Sequence, residues 1–210
     1  MLDFALPRHL EVICLGAHPD DIEIGCGGTL LALARSGLSL TNVVLTGAPD
    51  RAAEAAAAAA ATHPQATVVQ RALPDGQLLS VWSEVKELLE EVARGTRADL
   101  VFAPRPDDAH QDHRMVGTLA STVWRDQLLL HYEIPKWDGD LGPVTHYVPL
   151  DPDLARAKVG LLDASFPSQR SREWWDEETF LGLMRLRGVE CRSRFAEGFR
   201  ATKTVIRPAQ

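Results

Sequence analysis

The sequence predicts an α/β fold with a doubly wound, mostly parallel sheet and an irregular C-terminal extension. Short apolar runs typical of buried strands alternate with segments of helical periodicity over the first 134 residues, as in repeated βα units. Hydrophobic residues make up 45% of the 210 residues and charged residues 24%, which are proportions of a globular domain with one core. Disordered, fibrous and collagen-like structures are therefore excluded.

The first βα unit illustrates the pattern. A strand is expected over residues 10–17, since LEVICLGA is a short apolar run that ends beside Gly16. We expect a glycine-rich turn next and then a helix from Thr29, with Thr29 as N-cap and Gly37 as stop signal. The further strands of this part are predicted over 40–45, 67–70, 99–103 and 128–132, and the further helices over 51–61, 81–92 and 115–123.

The pattern changes after Ile134, where prolines and glycines interrupt the chain. Asp151-Pro152 is a typical helix start, and we expect helices over about 152–164 and 173–187 and a last strand near 199–206. The pair Trp174-Trp175 is compatible with core packing, a sugar platform or an oligomer contact. We predict a single domain over residues 1–210, in which 1–134 form the sheet core with the metal motifs and 135–210 form a C-terminal extension that shapes the substrate site.

Charge and cysteine usage narrow the classes of function. Lysine and arginine number 22 against 29 aspartate and glutamate residues, and this net charge of -7 disfavours broad binding to nucleic acid or an anionic membrane. Cys14, Cys26 and Cys191 are too scattered for a disulfide framework or a thiolate zinc site. No signal-peptide pattern and no apolar run of roughly 18 residues is present. We therefore expect a cytoplasmic protein without a membrane span or a nucleic-acid partner.

The first polar motif follows the first predicted strand and reads His18-Pro19-Asp20-Asp21. The carboxyl ends of parallel strands are where open α/β sheets bind their ligands. His18 and Asp21 supply an imidazole and a carboxylate, a mixture that suits zinc and similar divalent ions. Asp20 is then free beside the ion, where a carboxylate can act as general base toward a water molecule.

The second polar motif follows the strand-like segment 99–103 and reads DDAHQDH over residues 107–113. His110 and His113 are three residues apart, so they can share a helical face and supply a third metal ligand and a catalytic imidazole. Asp112 can orient a ligand histidine, as metal-bound imidazoles usually require. Three protein ligands leave the open coordination position that hydrolysis needs.

These two motifs in this order make the chain similar to the PIG-L/LmbE-like de-N-acetylases. The resemblance extends to Arg51 and Glu54 in front of an alanine-rich helix and to Asp75-Gly76, so it covers about residues 10–135. It implies a Rossmann-like sheet, a zinc ion and hydrolysis of an N-acyl group, usually the acetyl group of an amino sugar. The roles it implies are metal ligands at His18, Asp21 and His113, the general base at Asp20, an electrostatic or acid partner at His110 and a substrate contact at Arg51.

We expect the irregular region after the last predicted parallel strand to determine substrate selectivity. Residues 132–139 place aromatic, acidic and basic side chains at the sheet edge where the site should open. Substrate contacts are predicted for Asp75, Tyr132, Lys136 and Trp137. Two alternatives stay open: Trp137 can simply cover the core, and Arg51 with Glu54 can form an ordinary ion pair along a helix.

The leading hypothesis is a zinc-dependent hydrolase that removes an acetyl group from an N-acetylamino sugar or a sugar conjugate, with Asp20 as the base. Another divalent ion such as Fe²⁺ can replace zinc in this scheme. One alternative is hydrolysis of another bond, such as a phosphoester, since histidine and aspartate ligands do not name the bond. The other is a catalytically silent sugar-binding module, which the spare carboxylate of Asp20 disfavours. The expected partner is the small-molecule substrate, and a homo-oligomer stays open.

Overall fold

The computed structural model describes residues 3–205 of the chain, which form a seven-stranded sheet with helices on both faces. The strands are β1 (Leu10–Gly16), β2 (Leu38–Thr46), β3 (Thr67–Leu73), β4 (Leu100–Pro104), β5 (Leu128–Tyr132), β6 (His146–Leu150) and β7 (Phe195–Ala201). The helices are α1 (Asp21–Ala34), α2 (Pro49–Thr62), α3 (Trp82–Gly95), α4 (Gln111–Val123), α5 (Pro152–Ser165) and α6 (Glu177–Glu190). Within residues 3–205, every helix is too short or too polar to span a bilayer.

Strand β1 is buried on both faces, which explains its continuous apolar sequence. Val12 and Cys14 belong to one hydrophobic cluster, which contains residues of α1, α2 and α5. Ile13 and Leu15 point the other way and belong to a second cluster, which contains residues of α3 and α4. The helices therefore cover the two faces of the sheet, as the predicted doubly wound fold requires.

The strand order is β3-β2-β1-β4-β5-β7-β6. The first five strands of this order are parallel to one another, and β7 and β6 extend the sheet in antiparallel pairs beside β5. The mostly parallel sheet predicted from the sequence is confirmed. The chain moves outward from β1 in one direction and returns to β4 on its other side, so a crevice opens at the carboxyl ends of β1 and β4.

Helix α1 begins at Asp21 and not at Thr29, so the predicted glycine-rich turn and the predicted N-cap at Thr29 were wrong. The glycines lie inside the helix because they allow close packing. A Cβ atom on Gly25 would overlap the ring of Tyr132, and one on Gly28 would lie 2.6 Å from Leu150. The glycines therefore bring α1 close to the sheet, and the first polar motif passes directly into the helix.

The C-terminal extension differs from the prediction in its boundaries and by one strand. Helix α5 begins as expected, with the Asp151 carboxylate accepting the backbone N–H of Leu154 at 2.8 Å. Helix α6 begins later than expected because Asp176 is its N-cap and accepts the N–H of Thr179 at 2.7 Å. Strand β6 was not predicted, and β7 lies earlier than the predicted 199–206, whose last residue is outside the described residues.

A buried ion pair joins the C-terminal extension to α1. The Lys158 ammonium donates to the Glu197 carboxylate at 2.6 Å and to the backbone carbonyl of Ile24. Glu197 also accepts the backbone N–H groups of Gly28 and Thr29 at 2.9 and 2.7 Å. Helix α5 and strand β7 are thereby attached to the helix that carries the first motif.

Candidate active site

The two polar motifs meet at the crevice between β1 and β4. Asp20 is the N-cap residue of α1, and His110 is the N-cap residue of α4. Both helices follow strands whose carboxyl ends are neighbours in the sheet. The predicted topology required residues about 90 positions apart in the sequence to meet here. They do so, since His18 Nδ1 lies 3.1 Å from His113 Nε2.

Three side-chain groups converge with the spacing of a metal site. The Asp21 carboxylate places one oxygen 3.2 Å from His113 Nε2 and the other 3.5 Å from His18 Nδ1. Two nitrogen ligands about 2.0–2.1 Å from a tetrahedral zinc ion are about 3.3 Å apart. The separation of the two imidazole nitrogens fits that arrangement, and so does the mixture of donors.

The outer nitrogen of each of these histidines faces a carboxylate. His113 Nδ1 lies 3.1 Å from Asp108 Oδ1. His18 Nε2 lies 3.2 Å from Asp75 and 3.6 Å from Asp112. Carboxylates at the outer nitrogens orient the two rings, and they would hold the ring protons there when a cation takes the lone pairs of the inner nitrogens.

The charges around the two rings favour a cation. Burial lowers the pKa of His18, but the Asp21 charge and hydrogen bonds to three carboxylates outweigh burial and raise the pKa to about 12. Burial also lowers the pKa of His113, and Asp21 and Asp108 raise it above its ordinary value. A divalent ion satisfies the same carboxylates with both imidazoles neutral, so the donor set and its electrostatics fit a bound metal.

Two other groupings of metal-binding residue types occur here. Ligand atoms of His18, His110 and His113 lie within 4.8 Å of one another, and so do those of His18, Asp75 and Asp112. Asp112 is already held by the backbone N–H groups of Gly76 and Leu78 at 2.8 and 3.1 Å. These bonds hold the Asp112 carboxylate 3.6 Å from His18 Nε2, and its role of orienting a histidine stays a prediction.

Asp20 lies beside the three convergent side chains with a different partner. It is 6% exposed, and one of its oxygens is 3.0 Å from the Arg51 guanidinium. Burial raises the pKa of Asp20, and the Arg51 charge offsets part of that rise. Arg51 also pairs with Glu54 at 3.1 Å and donates to Ser168 at 2.8 Å. The helix ion pair considered above is present, and Arg51 reaches the site as well.

His110 is placed as a hydrogen-bond donor. Its Nδ1 accepts the backbone N–H of Asp112 at 3.2 Å, so the proton of the neutral ring is on Nε2. Burial and the neighbouring His113 and His18 lower its pKa, which favours that neutral form. Its ring centroid lies 4.7 Å from those of both His18 and His113.

A cleft of about 500 Å³ opens over this centre. Trp137 is 63% exposed on its wall and meets Trp174 edge to face at 5.8 Å. The Lys136 ammonium lies 3.7 Å from Asp138. The cleft is lined by side chains of both motifs and of the C-terminal extension, among them Asp20, Arg51, Asp75, His110, Lys136, Trp137, Gln169, Arg172 and Trp174.

Tyr132 does not belong to the cleft, so the prediction that it contacts substrate was wrong. It is fully buried, and its hydroxyl donates to the backbone carbonyl of Leu15 at 2.6 Å. Successive strand residues point to opposite faces, and Tyr132 points under α1. Of the tryptophan pair, Trp175 packs in the core against Phe166 and Phe180, whereas Trp174 lines the cleft.

Some residues of the site were missed in the sequence. Asp108, the partner of His113, stands inside the second motif, and the acidic doublet there was an available signal. Gln169 and Arg172 lie far along the chain in an irregular segment. No local pattern connects that segment with the cleft, because only the packing of the extension brings it there.

Comparison with known proteins gives a family and a fold. The family model described as GlcNAc-PI de-N-acetylase, PIG-L, matches residues 13–124. An Escherichia coli K12 protein named "Uncharacterized deacetylase YaiS" is 29% identical over 136 residues, which are 59% of this chain and 74% of that protein.

Solved structures share the architecture. The conserved protein TT1542 from Thermus thermophilus is 24% identical with a TM-score of 0.76, over 95% of this chain and 97% of that chain. The N,N'-diacetylchitobiose deacetylase from Pyrococcus horikoshii is 21% identical with a TM-score of 0.71, over 91% and 83%. These likenesses confirm the predicted α/β fold over almost the whole chain.

Proposed function

The chain belongs to the PIG-L family, described as GlcNAc-PI de-N-acetylase, and from that premise we propose that it is a metal-dependent N-deacetylase of an N-acetylamino sugar or a sugar conjugate. The observation that carries the proposal is the convergence of His18, Asp21 and His113 beside a carboxylate, Asp20, that faces an arginine. Ligands and base are thus separate groups at one end of a cleft. The sequence relative named a deacetylase and the Pyrococcus deacetylase of similar fold support the same reaction class.

The three convergent side chains would hold the metal. Imidazole and carboxylate donors suit zinc and also Fe²⁺. A bound divalent ion supplies two effects: it lowers the pKa of a water molecule, and it polarises the amide carbonyl. Asp108, Asp75 and Asp112 keep the two histidine rings in the orientation that such binding needs.

Asp20 would move the proton. Its raised pKa makes it a stronger base than an exposed aspartate, while Arg51 holds its carboxylate in place. Asp20 would accept a proton from the water molecule that attacks the acetyl carbon. It would return that proton to the sugar nitrogen as the C–N bond breaks, so the products are acetate and a free amine.

His110 would stabilise the charge that develops during attack. Its Nδ1 is occupied by the N–H of Asp112, so Nε2–H is available to donate a hydrogen bond to the carbonyl oxygen. A fixed donor of this kind favours the transition state over the substrate. His110 and His113 thus have different roles although three residues separate them.

The cleft supports a sugar as the rest of the substrate. Trp137 and Trp174 offer aromatic faces and edges at its wall, and amphipathic rings suit the apolar faces of a pyranose. Lys136, Asp138 and Asp75 place charged groups where hydroxyl or charged substituents can bind. The roles of Lys136, Trp137, Asp75 and Arg51 in substrate binding are part of this proposal.

The cellular setting is proposed from composition. Cys14, Cys26 and Cys191 are all free thiols, which agrees with a reducing compartment such as the cytoplasm. The substrate is the partner that we propose.

The function is tested with a panel of N-acetylated amino sugars and their conjugates, incubated with the metal-loaded protein. We expect equal release of acetate and primary amine, loss of both in Asp20→Asn, and retention of both in Asp50→Asn, an exposed aspartate of α2. Phosphoester substrates are assayed in parallel. Release of phosphate without release of amine would favour a phosphoester hydrolase. Sugar binding without any turnover would favour a catalytically silent sugar-binding module.

A further inference from the structure

A segment of the cleft wall is hydrogen-bonded to the loop that carries His110. We call residues 133–142 the wall segment and residues 105–110 the histidine loop. The Asp140 carboxylate of the wall segment accepts the backbone N–H of Ala109 at 2.7 Å. We propose that Asp140 is a positioning residue for His110, an inference that rests on the proposed function because it assumes that His110 acts in catalysis.

Arg105 fixes the place of Asp140. Its side chain is 7% exposed, and it donates to the Asp140 carbonyl at 2.8 Å and to the Asp107 carboxylate at 3.0 Å. The guanidinium also lies against Gly142, where an added Cβ would meet it at 3.1–3.2 Å. The backbone of Asp140 is therefore held by a buried guanidinium group, and its carboxylate accepts the Ala109 N–H.

A second arginine holds both ends of the wall segment. Arg187 of α6 donates to both carboxylate oxygens of Glu133 and to the carbonyl of Gly142 at 3.1 Å. Between these two points lie Lys136 and Trp137, which line the cleft. The segment that is expected to touch the substrate is thus anchored on each side.

The histidine loop is organised around the peptide that Asp140 holds. The N–H of His110 donates to Asp108 Oδ1 at 2.8 Å, and the same oxygen lies 3.1 Å from His113. Arg114 donates to the carbonyls of Asp108 and Ala109. The Asp140 bond ties this loop to a different part of the chain. Its loss would leave the Ala109 N–H without that acceptor and let the His110 ring move.

The consequence is a physical link between substrate recognition and catalysis. A ring displaced by about 1 Å can cost roughly a hundredfold in rate, whereas Asp21 and His113 lie within helices α1 and α4. We therefore expect Asp140→Ala to lower kcat roughly 10- to 100-fold, with the bound metal unchanged and KM changed much less than kcat. Asp140→Asn retains an oxygen that can accept the Ala109 N–H and should keep most of the activity.

A double-mutant cycle with His110→Ala tests the link. If Asp140 acts through His110, Asp140→Ala has almost no further effect once the imidazole is absent. The same fold-loss in both backgrounds would overturn the proposal, and so would wild-type kcat in Asp140→Ala. Asp153→Ala, at an exposed surface pair, is the control. If Asp140→Ala does not fold, Asp140→Ser is used, since its shorter side chain cannot span the same contact.

A spectroscopic measurement separates this inference from the proposed function. In metal-free protein labelled with ¹⁵N-histidine, Asp140→Ala should shift or broaden the ring signals of His110 and leave those of His146 unchanged. If the wild type releases no amine from any substrate, the proposed function fails while the ring signals still test the positioning. Unchanged His110 signals in Asp140→Ala would overturn the positioning whatever the activity.

Discussion

Asp20 and Asp21 are neighbours in the chain, yet their carboxylates have opposite surroundings. Burial raises the pKa of Asp21, but His113 and His18 outweigh burial and hold it well below its ordinary value. Burial raises the pKa of Asp20, and its contact with Arg51 offsets only part of the rise. A carboxylate that stays ionised suits a metal ligand, and one with a raised pKa suits a base.

The separation of these roles gives the first prediction. Asp20→Asn should keep about one metal ion per chain and lower turnover roughly 10²- to 10⁴-fold, because only the proton acceptor is lost. His113→Ala should lose the ion, because one of three convergent ligands is removed. Metal analysis and turnover are measured on the same preparations. Loss of metal in Asp20→Asn, or its retention in His113→Ala, would mean that the assignments are incorrect.

Arg51 gives a prediction about pH. As the proposed base, Asp20 must be ionised, so activity is expected to fall as pH drops through the pKa of Asp20. The Arg51 charge lowers that pKa, so Arg51→Ala should raise it and move the acidic limb of kcat/KM to higher pH. Arg156→Ala, at a surface pair with Asp153, should leave the limb in place. If the acidic limb of kcat/KM does not move in Arg51→Ala, Asp20 is not the group whose ionisation causes that limb.

Among the secondary-structure elements, α1 shows why the local structure around a recognised motif can be predicted wrongly. Gly25 and Gly28 are poor helix formers, and propensity alone places them in a turn. Tertiary packing overrides that propensity, since Tyr132 and Leu150 occupy the space that side chains would need. Such contacts come from strands far along the chain, so no local pattern contains them.

Because α1 packs so closely against the sheet, we expect one added methyl group to have a large effect on the stability of the fold. Gly25→Ala should destabilise the fold by roughly 1–3 kcal/mol or more, because its Cβ would overlap the Tyr132 ring. Gly182→Ala in α6 is the control: its Cβ has no neighbour within 4 Å, so the helix should gain up to about 1 kcal/mol. The free energies of unfolding are compared by denaturant titration. Equal stability of Gly25→Ala and the wild type would show that α1 does not need this glycine.

Substitutions in the wall segment should change substrate binding without changing the metal content. Trp137→Ala and Lys136→Ala should raise KM or change the preferred substrate, since both side chains line the cleft away from the convergent ligands. Their metal content should equal that of the wild type. Trp82→Ala removes a tryptophan that is 43% exposed and whose ring faces the Lys86 ammonium at 5.6 Å, and it should leave KM unchanged. Unchanged kinetics on every accepted substrate would place selectivity elsewhere in the cleft.

For the molecule as a whole, the features that could be predicted are those that short stretches of sequence encode. Alternation of strands and helices predicted the sheet. Polar residues directly after β1 and β4 predicted that the two motifs meet, because neighbouring parallel strands end at one edge. Strand β6 and the cleft residues Gln169 and Arg172 could not be predicted. They depend on how the extension folds back, which is fixed by distant contacts such as the pair between Lys158 and Glu197.

We propose one metal-dependent deacetylation centre at the carboxyl ends of β1 and β4. The most direct measurement is a titration of the metal-free protein with Zn²⁺, following release of acetate from an accepted N-acetylamino sugar. We expect no turnover without metal and a rise in turnover that reaches its maximum at about one equivalent of Zn²⁺, as for a single centre with three protein ligands. Full turnover in protein shown by elemental analysis to be free of metal would contradict it.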